Sequence, residues 1–173
     1  MPNIIFDRSH RREYILWGML AGVAYALPVM AFLAMRNYYY TATVFVGCIL
    51  FMFVIMLYSA RLTKRKPEYK STWMMIIAGH FVILTGIITA VVLSFLLCLA
   101  FIPGFLSGNS PGSFLKSSPD AMNIHNTGVL MIIIMTATLV NFGVGGVINI
   151  IVSYAGKLNQ TKDKTPTVLH EAR

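Results

Sequence analysis

Acidic residues are scarce in this chain of 173 residues: six, against fourteen Lys and Arg. Charged residues make up 12% and hydrophobic residues 57%, where a soluble domain carries about 25% and 45–50%. That balance excludes an ordinary soluble domain and a disordered chain. Carboxylates are missing altogether from the long apolar stretches described below, which disfavours transport coupled to an acidic residue in the membrane. Cysteine occurs twice, at Cys48 and Cys98, too far apart for a C-x-x-C redox pair or a metal cluster.

Of the four histidines only His80 lies in an apolar stretch, so a pair of axial haem ligands is absent. His10, His125 and His170 have no metal-ligand spacing. No Walker loop, dinucleotide fingerprint or G-x-S-x-G elbow occurs. We therefore assign no catalytic, cofactor or metal site and expect no enzyme. Lipid chemistry would have to draw on Lys116, Asp120 and His125 alone. The net charge of +8 is not read as a nucleic-acid footprint, because the position of the bases explains it better.

What the chain has is four apolar runs: about 14–35, 41–58, 73–101 and 127–154. A helix needs about 20 apolar residues to cross the hydrocarbon core. Strands of a membrane barrel are shorter and alternate in polarity, so the runs predict four transmembrane helices in an antiparallel bundle. Residues 1–13 form an N-terminal segment and 155–173 a polar basic tail. The first run is too long for a usual signal core and lacks a small-x-small cleavage site, so we read it as an uncleaved span. The third run would rise about 43 Å and must tilt or emerge before Pro103-Gly104.

The bases set the orientation. Twelve of the fourteen fall in the N-terminal segment, the link after span two and the tail; only Arg36 and Lys116 fall on the other side. The positive-inside rule then predicts cytoplasmic N- and C-termini. Tyr14, Trp17, Tyr58, Tyr69, Trp73 and Tyr154 mark the inner boundary and Tyr38, Tyr39 and Tyr40 the outer one; only Tyr25 lies deep. The basic link with Arg61, Lys64, Arg65, Lys66 and Lys70 is either the topology signal itself or a contact for anionic lipid. The outer link 102–126, rich in Gly, Ser and Pro, also holds Phe105, Leu106, Phe114 and Leu115. We expect it to fold back onto the bundle mouth.

Small residues recur at helical spacing. Gly18, Gly22 and Ala26 in span one, Gly79 and Gly86 in span three and Gly145 in span four are expected at helix-packing faces. Span four places Thr138, Asn141, Gly145 and Asn149 on one side at 100° per residue. Amides directed at lipid tails would be left without partners, so this side is expected to face protein. His80 in span three shares a side with Ser94 and Cys98 and lies near the depth of Asn149, where a hydrogen bond between the two is expected. His80, Thr138, Asn141 and Asn149 thus form the candidate intramembrane polar site. They serve either as glue between helices or as a ligand, ion or proton contact.

In size and layout the chain resembles small four-span bacterial inner-membrane proteins, without the twin carboxylates, cysteine pairs or membrane acid of four-span redox enzymes or multidrug transporters. The expected function is that of a structural or accessory component acting by helix–helix and lipid contacts. The alternative is an oligomeric transporter or channel subunit using the polar face of spans three and four. The bilayer, a second copy of the chain or another membrane protein are the expected partners, in the bacterial inner membrane.

Overall fold

A computed structural model describes residues 8–64, 72–106, 114–117 and 127–162. All its regular elements are helical. Helix α1 spans Arg8–Met35, a 3-10 turn Tyr38–Thr41, α2 Ala42–Lys64 and α3 Thr72–Phe101. The last span is built in pieces: α4 over Thr127–Met135, a π-helical turn over Thr136–Val140 and α5 over Asn141–Lys162. Four helical stretches are long and apolar enough to cross a membrane: His10–Met35, Tyr38–Lys64, Thr72–Phe101 and Gly128–Leu158. Each exceeds the run read from sequence at one end or both, because Lys, Arg and polar residues extend a helix past the apolar segment without breaking it.

Close approach organises the packing. α1 lies most extensively against α3, and also along α2; α5 lies against α2 and α3. The α1–α3 seam is the Gly18-x-x-x-Gly22 face. A Cβ on Gly18 would stand 2.6 Å from the Cβ of Thr85, and one on Gly22 2.6 Å from that of Thr89. No side chain fits there, and the absence of one lets the two backbones approach. Thr85 and Thr89 return their hydroxyls to Phe81 and Thr85 carbonyls, at 2.8 and 2.9 Å, so the seam carries no stranded donor.

Between the four spans, Tyr25, Phe32, Phe51, Ile55 and Tyr58 are fully buried. The outward faces carry Leu16, Leu27, Ile49, Ile88, Val92 and Leu139, all exposed. An apolar interior enclosed by an equally apolar exterior is the pattern of helices whose solvent is lipid.

Helix ends are tied at one mouth of the bundle. α3 stops where Pro103 removes a donor and Gly104 takes φ 68°, a left-handed position that glycine adopts without strain. The Ile102 amide still donates to the Cys98 carbonyl at 3.0 Å. Arg36 ends α1 with φ 49°. Its carbonyl accepts from the Lys116 amide at 2.9 Å, and the Tyr38 amide donates to the Lys116 carbonyl at 3.1 Å. Leu115 is buried beside this bridge, and the Arg36 guanidinium sits 5.6 Å from the Phe114 ring centroid. The described parts of the 102–126 link therefore do fold onto the mouth.

Candidate functional site

Asn149 is the centre of the polar interior. It is fully buried on α5, four residues after Gly145, and its amide reaches two other helices. Nδ2 lies 2.8 Å from the Ile76 carbonyl of α3. A carbonyl only accepts, so the nitrogen and not the oxygen must face it. That leaves Oδ1 toward α2, where the Ser59 hydroxyl donates to it at 3.0 Å. One side chain thus ties α2, α3 and α5, with each interhelical bond contributing about 0.6–2 kcal/mol.

Gly79 makes this possible. A Cβ there would overlap the Asn149 amide outright. Gly145 plays the milder role one turn earlier, where a Cβ would touch Ile83 at 3.3 Å and Phe51 at 3.5 Å. Gly86 faces Phe51, and Ala26 is buried. Gly156 is a further small residue at a crossing, against Thr63 of α2.

His80 stands at the edge of the same cluster. Its Nδ1 is 2.8 Å from the Ile76 carbonyl and 3.2 Å from Asn149 Nδ2. The 2.8 Å contact requires a proton on Nδ1, since the carbonyl has none to give. Phe142 meets the imidazole edge-on, with centroids 6.2 Å apart. Ser94 and Cys98 are fully buried while His80 is only half-buried. A straight helix drifts about 20° per heptad, so residues seven apart do not keep to one face over α3.

Thr138 is not brought into the cluster. Its hydroxyl donates to the Ile134 carbonyl at 2.7 Å, and the side chain is half-buried. The π turn is the physical reason. It absorbs an extra residue and sets downstream positions about 100° behind those of an uninterrupted helix. The interior stripe becomes Val129, Ile133, Ala137, Asn141, Gly145, Asn149 and Ser153, with Thr136 beside Ala137. Asn141 is 1% exposed; Nδ2 donates to the Ala137 carbonyl at 3.2 Å, and Oδ1 has no partner among the described residues. Ser94 and Ser153 are buried without a hydroxyl partner among the described residues.

A second polar knot holds the π turn. The Tyr25 hydroxyl is 2.8 Å from the Ile133 carbonyl, to which it donates, and 2.7 Å from Thr136 Oγ1. The Cys48 thiol approaches the Thr136 carbonyl at 3.9 Å. Reading the sequence as a set of polar stripes missed Tyr25, Thr136 and Ser59. Tyr25 carried a signal, being the one tyrosine deep in a span, and a buried phenol needs a partner. Ser59 falls one residue past the predicted end of span two. Among the described residues no group of three or more His, Cys, Asp or Glu is placed to hold a metal ion. No family model, no curated protein and no solved structure matches the chain.

Proposed function

We propose that the chain is a small polytopic membrane protein acting as a structural or accessory component through contacts of its helices with lipid and with other membrane proteins. In this reading the four spans alternate in direction in a bacterial cytoplasmic membrane, with both termini in the cytoplasm. Twelve of fourteen bases on one side support that orientation. So does the grouping of charge: Arg36 and Lys116 meet at one end, while Arg61 lies 3.6 Å from Glu13 on the other side of the spans. The basic link Arg61, Lys64, Arg65, Lys66 and Lys70 supplies attraction to anionic lipid of about 1 kcal/mol per base.

The observation that carries the reading is the amide of Asn149, whose bonds to Ser59 and Ile76 join helices to one another. Polar groups used in this way hold a bundle together and are not free to pass a solute. Single photo-crosslinkers at the exposed Leu27, Ile88 and Leu139 in native membranes test the function. An accessory component gives one discrete protein adduct from one face and lipid adducts from the others. Lipid adducts from every face, with solute flux through the purified chain in liposomes, would overturn it.

The transporter or channel reading has one observation in its favour. Asn141 Oδ1 is buried in the interior with no partner among the described residues, at a cost of about 1–3 kcal/mol unless something visits it. If it serves a solute, Asn141→Leu abolishes flux in liposomes while raising thermal stability. If it is only a packing defect, stability rises and no flux is lost.

A further inference from the structure

Two polar knots hold the fourth span at separate points. Toward its start, the Tyr25 hydroxyl donates to the Ile133 carbonyl at 2.8 Å and lies 2.7 Å from Thr136 Oγ1. Further on, Asn149 bonds to Ser59 and to the Ile76 carbonyl. Between the knots the chain carries one residue more than an α-helix can place, and a π turn takes it up. The knots require the extra residue but do not fix where between them it sits. In the structure it sits at Thr136–Val140, where the Asn141 backbone amide is shared between the Thr136 and Thr138 carbonyls, the offsets of a π and a 3-10 helix.

This register leaves a defect. Asn141 is buried, and its Nδ2 donates to the Ala137 carbonyl at 3.2 Å, but Oδ1 has no partner among the described residues. An amide oxygen held in an apolar interior without a donor costs free energy. Moving the π turn one helical turn on, to 140–144, removes the defect. Residues 138–141 then advance by up to one place, about 100° around the axis and 1.5 Å along it. Val140, already packed against the core, takes the buried place of Asn141. Asn141 takes that of Phe142, whose ring meets His80 edge-on with centroids 6.2 Å apart. A carboxamide offers both a donor and an acceptor, so it bonds an imidazole nitrogen whether or not that nitrogen carries a proton. The Phe142 ring swings toward the place of Gly143, where nothing stands within 4 Å of a Cβ. Gly143, now inside the turn, gives it backbone freedom, while Gly145 and Asn149 keep their contacts. We propose that the π turn is a two-position register switch: its shift from Thr136–Val140 to 140–144 exchanges Asn141 for Val140 in the interior and brings the Asn141 amide to His80.

The test uses the full chain in mixed micelles, with 4-fluorophenylalanine in place of Phe142, and reads the fluorine resonance. A second resonance in exchange with the first, populated to about 1–10%, is expected by saturation transfer. His80→Leu should reduce the ratio of the second to the first roughly three- to tenfold, the factor for one hydrogen bond. Asn141→Leu should reduce it further, since it also cures the defect of the first register. Deleting Leu139 removes the extra residue and should leave one resonance. Gly143→Ala, which favours regular helix at the second position, should lower the ratio in the same direction and decides the matter if the deletion does not fold. A single resonance without an exchanging partner in the parent chain overturns the switch. So does a second resonance that survives both the Leu139 deletion and Gly143→Ala unchanged, which marks a ring rotamer. A second resonance that does not shrink with His80→Leu marks local unfolding and overturns it too.

Discussion

At the scale of single residues, the value of a polar group in this interior depends on how many helices it joins. Asn149 has partners on two other helices, whereas His80 shares with it the Ile76 carbonyl of its own helix. Asn149→Leu should therefore strand the Ser59 hydroxyl, break both interhelical bonds and cost about 2–3 kcal/mol. His80→Leu should cost about 1 kcal/mol, because Asn149 still serves Ile76. Unfolding of the purified protein in mixed micelles measures both; equal losses would mean that the amide and the imidazole act as one unit. Glycines divide in the same way. Gly79→Ala forces a methyl into the Asn149 amide and should cost about 2–3 kcal/mol. Gly143 has nothing within 4 Å of its absent Cβ, so Gly143→Ala should be neutral or stabilising by up to about 1 kcal/mol.

At the scale of elements, the fourth span is the unusual one, since an irregularity within a helix needs a cause that outlasts thermal motion. The Tyr25 hydroxyl supplies one by bonding to the Ile133 carbonyl and Thr136 at the start of the π turn. Tyr25→Phe should lower stability by about 1–3 kcal/mol and speed amide hydrogen exchange across 133–141 while leaving α3 unchanged. The π turn also makes an unusual deletion tolerable. Leu139 is 67% exposed and lies in the turn. Removing it converts the turn to α-helix while keeping Val129 and Ile133 in phase with Asn141, Gly145 and Asn149. Removing Val147, inside regular α5, rotates Asn149 out of the interior by about 100°. The first deletion should yield folded protein by thermal melting and the second should not; the reverse order would show that the π turn carries no phase.

At the scale of the whole molecule, the charge pattern and the packing make one joint prediction. A reporter fused after Arg173 should be active only in the cytoplasm, as should one fused before Arg8. Neutralising Arg61 and Lys64 while adding lysines to the short link at 37–40 should produce a mixed population, because the bias rests on the difference between the two sides. A single external orientation in the parent chain would refute the alternating arrangement. The bridge between Arg36 and Lys116 adds a structural counterpart, since it joins the two links that contain the minority bases. Its backbone bonds do not depend on side-chain charge, so Lys116→Ala should leave that mouth closed.

The number of helices followed from the sequence because a run of about 20 uncharged apolar residues has one stable fate in lipid, the helix that bonds its own backbone. The face carrying Gly18 and Gly22 was legible for a related reason: small residues at four-residue spacing lie on one side of any regular helix. Which helix each face meets was not legible. Gly18 opposes Thr85 and Gly79 opposes Asn149 because of how four cylinders pack around a shared interior, and local sequence carries no term for that. The exchange of Thr136 for Thr138 on the interior stripe has the same origin. Periodicity assumes a constant 100° step, and only the contact of Tyr25 with α4 shows where the step changes. His80 and Asn149 could be placed at one depth by counting residues from the span ends. That the amide would also take Ser59 from a third helix depends on a close approach that the tertiary structure alone decides.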